Sequence, residues 1–300
     1  MRLTFLGTAG SWPTKERSAS AIALDTEREL VLFDCGEGTQ RQFFQSPASF
    51  MRVRRIFLTH FHGDHFLGLP GLIQSMCLNN REEPLDVYGP PDAKEMVGRA
   101  LAMGYFTLRF PVQVHALSPG ETVELDGYAV RTAPAVHPVP TLAYRLDEAP
   151  KRGRFDGALA RSLGIRGPDF ARLEAGESVH VGASVVHPSD VMGPPRPGRS
   201  VVYSGDTAPT PAIEALARGA TVLIHESTTA QDLEAEANRW GHSSARQAAA
   251  LARAAGVGTL FLTHFSSRYK ELGPLEAEAR TEFAESRAAR DLLDHTILQP

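Results

Sequence analysis

The sequence predicts an α/β protein, a sandwich of two packed mixed sheets with helices outside. It reads as one domain over residues 1–300 that carries an inserted flexible arm at 150–198. Three observations lead there. Short apolar runs of strand character dominate the first half, and strand and helix alternate in the last hundred residues, which suits two sheets covered by helices. From Pro150 to Gly198, 14 of 49 residues are Gly or Pro, against 26 Gly and 21 Pro in the 300 of the whole chain. So many backbone breakers argue for an extended insertion rather than a core layer. Finally, Thr59-His60-Phe61-His62-Gly63-Asp64-His65 stands at the end of an apolar strand-like run, as sites grafted onto strand ends do.

The elements follow in order. Leu3–Leu6 reads as a first strand running into the Gly7 turn, and Ala19–Leu24 and Leu30–Phe33 as the next two. Thr39–Gln45 has helical character, and Val53–Leu58 is the strand that delivers the histidine cluster. Phe66–Met76 is an apolar helix, followed by a strand at Leu85–Tyr88 and a helix at Ala93–Met103. Strands then recur at Val112–His115, Thr122–Leu125, Ala129–Thr132 and Leu142–Leu146. Beyond the insertion, strands at Ser200–Ser204, Val222–His225 and Leu260–Thr263 alternate with helices at Pro211–Ala217, Ala230–Asn238 and Ser244–Ala255.

Composition narrows the class. Hydrophobic residues make up 42% and charged residues 22%, an ordinary balance with room for a large core. No run of 18 apolar residues exists, so no membrane partner is expected, and the opening residues are too short an apolar run for a signal peptide. Two cysteines cannot make a disulfide framework, which points to the cytoplasm. Cys35 could bind metal, but a buried free thiol is the preferred reading. A net charge of −4 carries no global signal for nucleic acid, and nothing suggests DNA. Locally, six basic residues from Lys151 to Arg172 (Lys151, Arg152, Arg154, Arg161, Arg166, Arg172) face two acidic ones, Asp156 and Asp169. That segment is either a solvated loop or an arm that grips polyanionic phosphate.

Four possible ligands fall within six residues at His60–His65. His60 and His62, two apart, leave the strand end on one side, while Asp64 and His65 aim at a second point from the helix entry. Imidazoles and a carboxylate suit two borderline ions such as zinc, with manganese or another divalent metal as alternatives. Later strand ends add more: His137 after Ala133-Pro134-Ala135-Val136, Asp206 in Ser204-Gly205-Asp206, and His264 in Leu262-Thr263-His264. Singly, a strand-end histidine is more often a hydrogen-bonded structural residue and a strand-end aspartate more often a helix cap. Together, His60, His62 and His137 can hold one ion, Asp64, His65 and His264 the other, with Asp206 bridging.

These motifs resemble the metallo-β-lactamase fold and, within it, the ribonuclease Z family. The similarity extends through Leu6-Gly7-Thr8, Pro13-Thr14-Lys15-Glu16-Arg17, Phe33-Asp34-Cys35-Gly36-Glu37-Gly38-Thr39-Gln40 and Gly68-Leu69-Pro70-Gly71-Leu72. In the second half it includes Ile224-His225-Glu226-Ser227-Thr228, Gly241-His242-Ser243-Ser244 and Thr263-His264-Phe265-Ser266-Ser267-Arg268-Tyr269. Within the arm, Gly167-Pro168 and Gly193-Pro194-Pro195 look like the glycine–proline element of the family's tRNA-gripping exosite. Ser18, Ser227 and Ser244 depart from the residues usual at those positions (Asn, Ala and Thr).

The resemblance implies a zinc-dependent endoribonuclease that removes the 3′ trailer from precursor tRNA and leaves a 3′-hydroxyl on the tRNA, acting as a homodimer with two zinc ions per subunit. Chemically, a phosphodiester needs an activated nucleophile and relief of charge, and two metals supply both by hydroxide attack. Asp64 then both ligates and accepts the water's proton. His242 is the candidate donor to the leaving 3′-oxygen, with Glu226 as its orienter, although either can serve a plain helix-end role. Lys15, Arg17 and Arg268 are implied substrate contacts, as are Lys151, Arg152, Arg154, Gly167 and Pro168 of the arm. Two other readings stand: a phosphodiesterase or small ester or thioester hydrolase of the same fold, and a non-catalytic zinc-containing RNA-binding protein.

Overall fold

A computed structural model of the chain describes residues 1–299. In chain order the strands are β1 (Arg2–Gly7), β2 (Ala21–Asp25), β3 (Leu30–Phe33), β4 (Val53–Phe57), β5 (Leu85–Gly89), β6 (Val112–Ala116), β7 (Thr122–Leu125), β8 (Tyr128–Pro134) and β9 (Leu142–Glu148). The hairpin β10 (Val179–Val181) and β11 (Ser184–Val186) follows in the insertion. After it come β12 (Ser200–Tyr203), β13 (Val222–Glu226), β14 (Thr259–Thr263), β15 (Ser286–Ala288) and β16 (Leu293–Thr296). One seven-stranded sheet has the order β16-β1-β2-β3-β4-β5-β6 and the other β15-β14-β13-β12-β9-β8-β7. Both are mixed: β1 pairs antiparallel with β2 whereas β3 and β4 are parallel, and β9 and β12 are antiparallel whereas β12 to β15 are parallel.

The helices are α1 (Thr39–Gln45), α2 (Gly63–Phe66), α3 (Leu69–Leu78), α4 (Ala93–Leu101), α5 (Gly157–Ser162), α6 (Asp169–Ala175), α7 (Pro188–Val191), α8 (Pro211–Ala217), α9 (Glu234–Arg239), α10 (Ala245–Ala255) and α11 (Gly273–Glu282). Three apolar clusters account for the layers of residues 1–147 and 199–298. Leu32 and Ile56 of the first sheet pack with Leu72, Ile73 and Met76 of α3 and Val97 of α4. Phe5, Phe33, Phe57, Tyr144, Tyr203 and Phe261 fill the space between the sheets, with Phe57 stacked on Tyr88 at 4.6 Å. Val202, Leu223 and Leu262 of the second sheet pack with Ile213 of α8, Ala248 of α10 and Leu275 of α11. Strands covered on both faces are apolar throughout, as the all-buried Leu30-Val31-Leu32-Phe33 shows, while β7 alternates exposed and half-buried residues. The two-sheet sandwich with helices outside is therefore the architecture observed.

Residues 148–198 form a second compact unit. It is more ordered than its glycines and prolines implied. Ala160, Ile165, Leu173, Val179, Val186 and Val191 make a small core of its own. Its helices are short and capped: the Asp156 carboxylate accepts from the N–H groups of Ala158 and Leu159, left-handed Gly176 ends α6, and His187 and Asp190 form a capping box on α7. Here the backbone breakers punctuate short elements instead of preventing them.

The apolar helix expected at Phe66–Met76 is two helices, α2 and α3, divided at Leu67 and Gly68. The Gly68 N–H donates to the Cys35 carbonyl at 2.9 Å, and a Cβ there would lie 2.0 Å from the Gly36 carbonyl oxygen. Helix α11 and strands β15 and β16 were not expected. Their patterns are short and polar, Leu293-Asp294-His295-Thr296 alternating half-buried and exposed, and sheet pairing rather than apolar periodicity defines them. Among the described residues no helix is long and apolar enough to cross a membrane.

Candidate metal centre and its cleft

Loops after the C-terminal ends of β4, β12, β13 and β14, joined by the loop after β8, bring the polar residues to one edge of the sandwich. His60 is fully buried and His62 exposed, and both lie beyond the strand, which ends at Phe57. Strand alternation therefore does not aim them, yet His60 Nε2, His62 Nδ1 and His137 Nε2 converge, with neighbouring nitrogens 3.1 Å apart. A second group gathers beside them. Asp64 Oδ2 lies 3.5 Å from His65 Nε2 and 3.3 Å from His264 Nε2. Asp206 Oδ2 sits between the groups, 3.4 Å from His65 Nε2, 3.2 Å from His264 Nε2 and 3.9 Å from His60 Nε2.

Four of the five rings are turned by a partner behind them. His60 Nδ1–H donates to Thr59 Oγ1 at 3.0 Å, His65 Nδ1–H to Asp34 Oδ2 at 2.7 Å, His137 Nδ1–H to the Gly241 carbonyl at 3.0 Å, and His264 Nδ1–H to Thr228 Oγ1 at 3.0 Å. Four Nε2 lone pairs are left pointing inward, as metal-ligating histidines require. Asp34 is the least obvious of these partners. It is fully buried and accepts from the Thr59 N–H at 2.7 Å and from the Tyr203 hydroxyl at 2.8 Å as well as from His65. Its left-handed φ of 56° is a conformation that non-glycine residues hold only where the surroundings fix it.

Charge supports the same reading. Asp34, Asp206 and Glu226 are buried and Asp64 nearly so, and among the described residues their only cationic partners are histidines. Burial resists ionisation of Asp64, Asp206 and Glu226, yet the surrounding imidazoles hold these three below the usual carboxylate range. Burial also drives His60 well below its ordinary value, which keeps it neutral and able to ligate. His65 Nε2 and Asp206 Oδ1 are buried with no hydrogen-bond partner. Buried polar atoms are otherwise nearly always satisfied, so these two mark the place for divalent cations.

Next to the cluster, His242 Nδ1–H donates to Glu226 Oε1 at 2.9 Å. Glu226 is itself fixed by the N–H groups of Thr207 at 3.1 Å and Thr228 at 3.0 Å and by the Thr228 hydroxyl at 2.8 Å. Burial disfavours the imidazolium, but the Glu226 and Asp206 carboxylates outweigh it and raise the His242 pKa to about 9. A cleft of about 630 Å³ opens here, lined among others by Ser11, Asp64, His137, Asp206, His242 and Arg268.

The remaining predicted contacts are mixed. Arg268 lines the cleft with its side chain exposed, and Lys15 is exposed on its loop. Arg17 departs from the expected role: it is buried, and its guanidinium donates to the carbonyls of Tyr269 at 2.8 Å and Ser266 at 3.4 Å. It braces one loop against another, so it is not free to meet a substrate. Within the insertion, Lys151 pairs with Glu148 at 3.4 Å and Arg152 donates to the Glu174 carbonyl at 2.8 Å, while Arg154 is exposed. Gly167, with φ 53°, and Pro168 turn the chain into α6. Cys35 is a buried free thiol whose pKa burial pushes up, and it belongs to none of the converging ligand groups. Sequence reasoning passed over Asp34, Thr59, Thr228 and the Gly241 carbonyl. Only Asp34 left a trace, a polar residue ending an apolar strand much as Asp206 does.

Two mixed sheets with outer helices and a His/Asp cluster at the strand ends define a protein of metallo-β-lactamase fold. Residues 187–265 match the β-lactamase superfamily domain, and residues 1–146 match the anti-Pycsar protein Apyc1 family. The metallo-β-lactamase-fold protein YhfI from Bacillus subtilis superposes with a TM-score of 0.71 at 19% identity, over 98% of each chain. Ribonuclease Z from Methanothermobacter thermautotrophicus is 49% identical over 98% of this chain and 95% of its own length. That from Methanosarcina acetivorans is 45% identical over 99% and 98%. The crystal structure of the short form of human tRNase Z matches 99% of this chain and 100% of its own with a TM-score of 0.73 and 27% identity. The chain belongs to the ribonuclease Z family of endoribonucleases, which are hydrolases.

Proposed function

We propose that this protein removes the 3′ trailer from precursor tRNA by hydrolysis of one phosphodiester, leaving a 3′-hydroxyl on the tRNA, and that His60, His62, His137, Asp64, His65, His264 and Asp206 would hold two zinc ions, or manganese in their place. The observation that carries this reading is the convergence of those seven side chains, with partnerless His65 Nε2 and Asp206 Oδ1 among them, beside the Glu226–His242 pair at the floor of an open cleft. When bound, a pair of divalent cations lowers the pKa of water to about 7 and offsets charge on the phosphoryl oxygens. The protein's own groups do the rest. Asp64, ionised and oriented by the Ser11 N–H at 2.7 Å, takes up the proton of the attacking water. His242 delivers a proton to the leaving 3′-oxygen, and Glu226 holds its ring in place. Arg268, exposed at the cleft, meets phosphate.

Residues 148–198 serve in this reading as a separate tRNA grip, recognising shape and backbone through exposed guanidinium groups such as that of Arg154. Family resemblance supports a homodimer, and two cysteines without a disulfide framework support the cytoplasm. The test is to incubate end-labelled precursor tRNA with the wild type and with His65→Ala, map both termini and measure bound metal. Cleavage at the trailer junction with a 3′-hydroxyl, lost together with metal in the variant, is expected. A metal-loaded wild type that binds tRNA without cutting it overturns the proposal.

A further inference from the structure

One side of the cleft is mostly apolar, broken by the exposed carboxylate of Glu236, and has no part in the chemistry above. Pro138, Leu233, Ala237 and Trp240 line it, in the same cleft as Asp64 and His242. Trp240, one of two tryptophans in the chain, is 66% exposed. Among the described residues no ring lies against its indole and nothing accepts from its N–H. Phe44, exposed to a similar degree, at least packs on Phe50 at 5.4 Å. The backbone around Trp240 is nevertheless closely fixed. Its N–H donates to the Ala237 carbonyl at 3.0 Å, and the His242 N–H donates to the same carbonyl at 2.9 Å. Between them Gly241 holds φ at 75°, and its carbonyl receives the His137 Nδ1–H. A side chain at Gly241 would meet His137 Cα at 2.8 Å, so the turn that presents Trp240 is the turn that orients a metal-facing imidazole. A large π-face on an anchored backbone, bare to solvent and beside the group that protonates the leaving oxygen, is a stacking platform awaiting a planar partner.

We infer that Trp240 stacks on the nucleobase of the last retained nucleotide, the one bearing the 3′-oxygen that leaves, and so seats the scissile phosphate over the cluster. This rests on the reading of the chain as a precursor tRNA nuclease. Stacking tolerates any base, which suits a nuclease that must process many tRNAs.

The test compares wild type, Trp240→Ala and Trp240→Phe on one precursor tRNA carrying either a normal or an abasic residue at that nucleotide. On the normal substrate, Trp240→Ala loses roughly tenfold or more in kcat/KM, the order one base–aromatic stack supplies, and Trp240→Phe recovers most of it. On the abasic substrate all three enzymes are equally slow. A second readout uses Trp12→Phe, which leaves Trp240 as the sole tryptophan: tRNA ending in a 3′-hydroxyl quenches the tryptophan emission of the metal-loaded protein, and the same tRNA with its terminal base removed does not. Equal rates for wild type and Trp240→Ala on the normal substrate, or a Trp240→Ala loss that persists undiminished on the abasic one, overturn the inference. A wild type that fails to cut any precursor tRNA overturns instead the function on which it rests.

Discussion

Asp34 turns His65, Thr228 turns His264, Thr59 turns His60 and the Gly241 carbonyl turns His137, so the inward lone pairs are set by groups that touch no substrate. Because such partners fix ring orientation, Asp34→Ala is expected to weaken divalent metal affinity by roughly 10–100-fold, read by competition with a chromogenic chelator. The Glu226–His242 pair makes a prediction in pH. The His242 pKa is raised to about 9, so the imidazolium donor is present below that pH and lost above it. Cations bound beside it push the other way and set the limb at or below that value. Thus kcat holds through neutrality and falls as pH rises. His242→Gln lowers kcat by about 10²–10⁴-fold and removes that alkaline limb, which a pH–rate profile detects. A limb that survives the substitution belongs to another group.

At the scale of elements, the helix break at Gly68 and the insertion give separable tests. Gly68→Ala puts a Cβ against the Gly36 carbonyl at 2.0 Å, where backbone must move. It is expected to cost about 1–3 kcal/mol and lower the melting temperature by several degrees, measured by calorimetry. Deleting residues 150–198 leaves the sandwich its three apolar layers, so the shortened protein is expected to hydrolyse bis(p-nitrophenyl) phosphate while losing precursor tRNA cleavage by at least about a hundredfold. Loss of both activities, with the fold intact by circular dichroism, argues against a separate grip. Strands such as Leu30-Val31-Leu32-Phe33 were legible because burial on both faces demands unbroken apolar residues. Helix α11 and strands β15 and β16 were not, since edge pairing needs few apolar positions and α11 buries little besides Leu275 and Ala279. Among the site residues, those sharing the His60–His65 string or ending an apolar strand could be read directly. Arg17 misled because a basic residue looks alike in sequence whether it meets phosphate or two backbone carbonyls. Trp240 was silent because nothing in the sequence tells an exposed tryptophan beside a cleft from one elsewhere on the surface.

For the whole molecule, stability and site are linked by the carboxylates concentrated at the sandwich edge. Without cations, Asp34, Asp64, Asp206 and Glu226 lie together with only imidazoles to balance them. Ligands that bind only the native state raise its stability by mass action, so stripping divalent metal with a chelator is expected to lower the melting temperature, and excess zinc to restore it. In Asp206→Ala that metal-dependent shift should shrink. Phe57→Ala, in the middle of the inter-sheet layer, is expected to cost about 3–5 kcal/mol through the cavity it leaves.

The cluster draws its members from His60 through to His264, and β14, whose end carries the last of them, is placed against β13 and β15. No portion of the chain that stops short of His264 holds the whole cluster. A polypeptide still emerging from the ribosome therefore cannot close the cluster until His264 and the strand that carries it have been synthesised and packed.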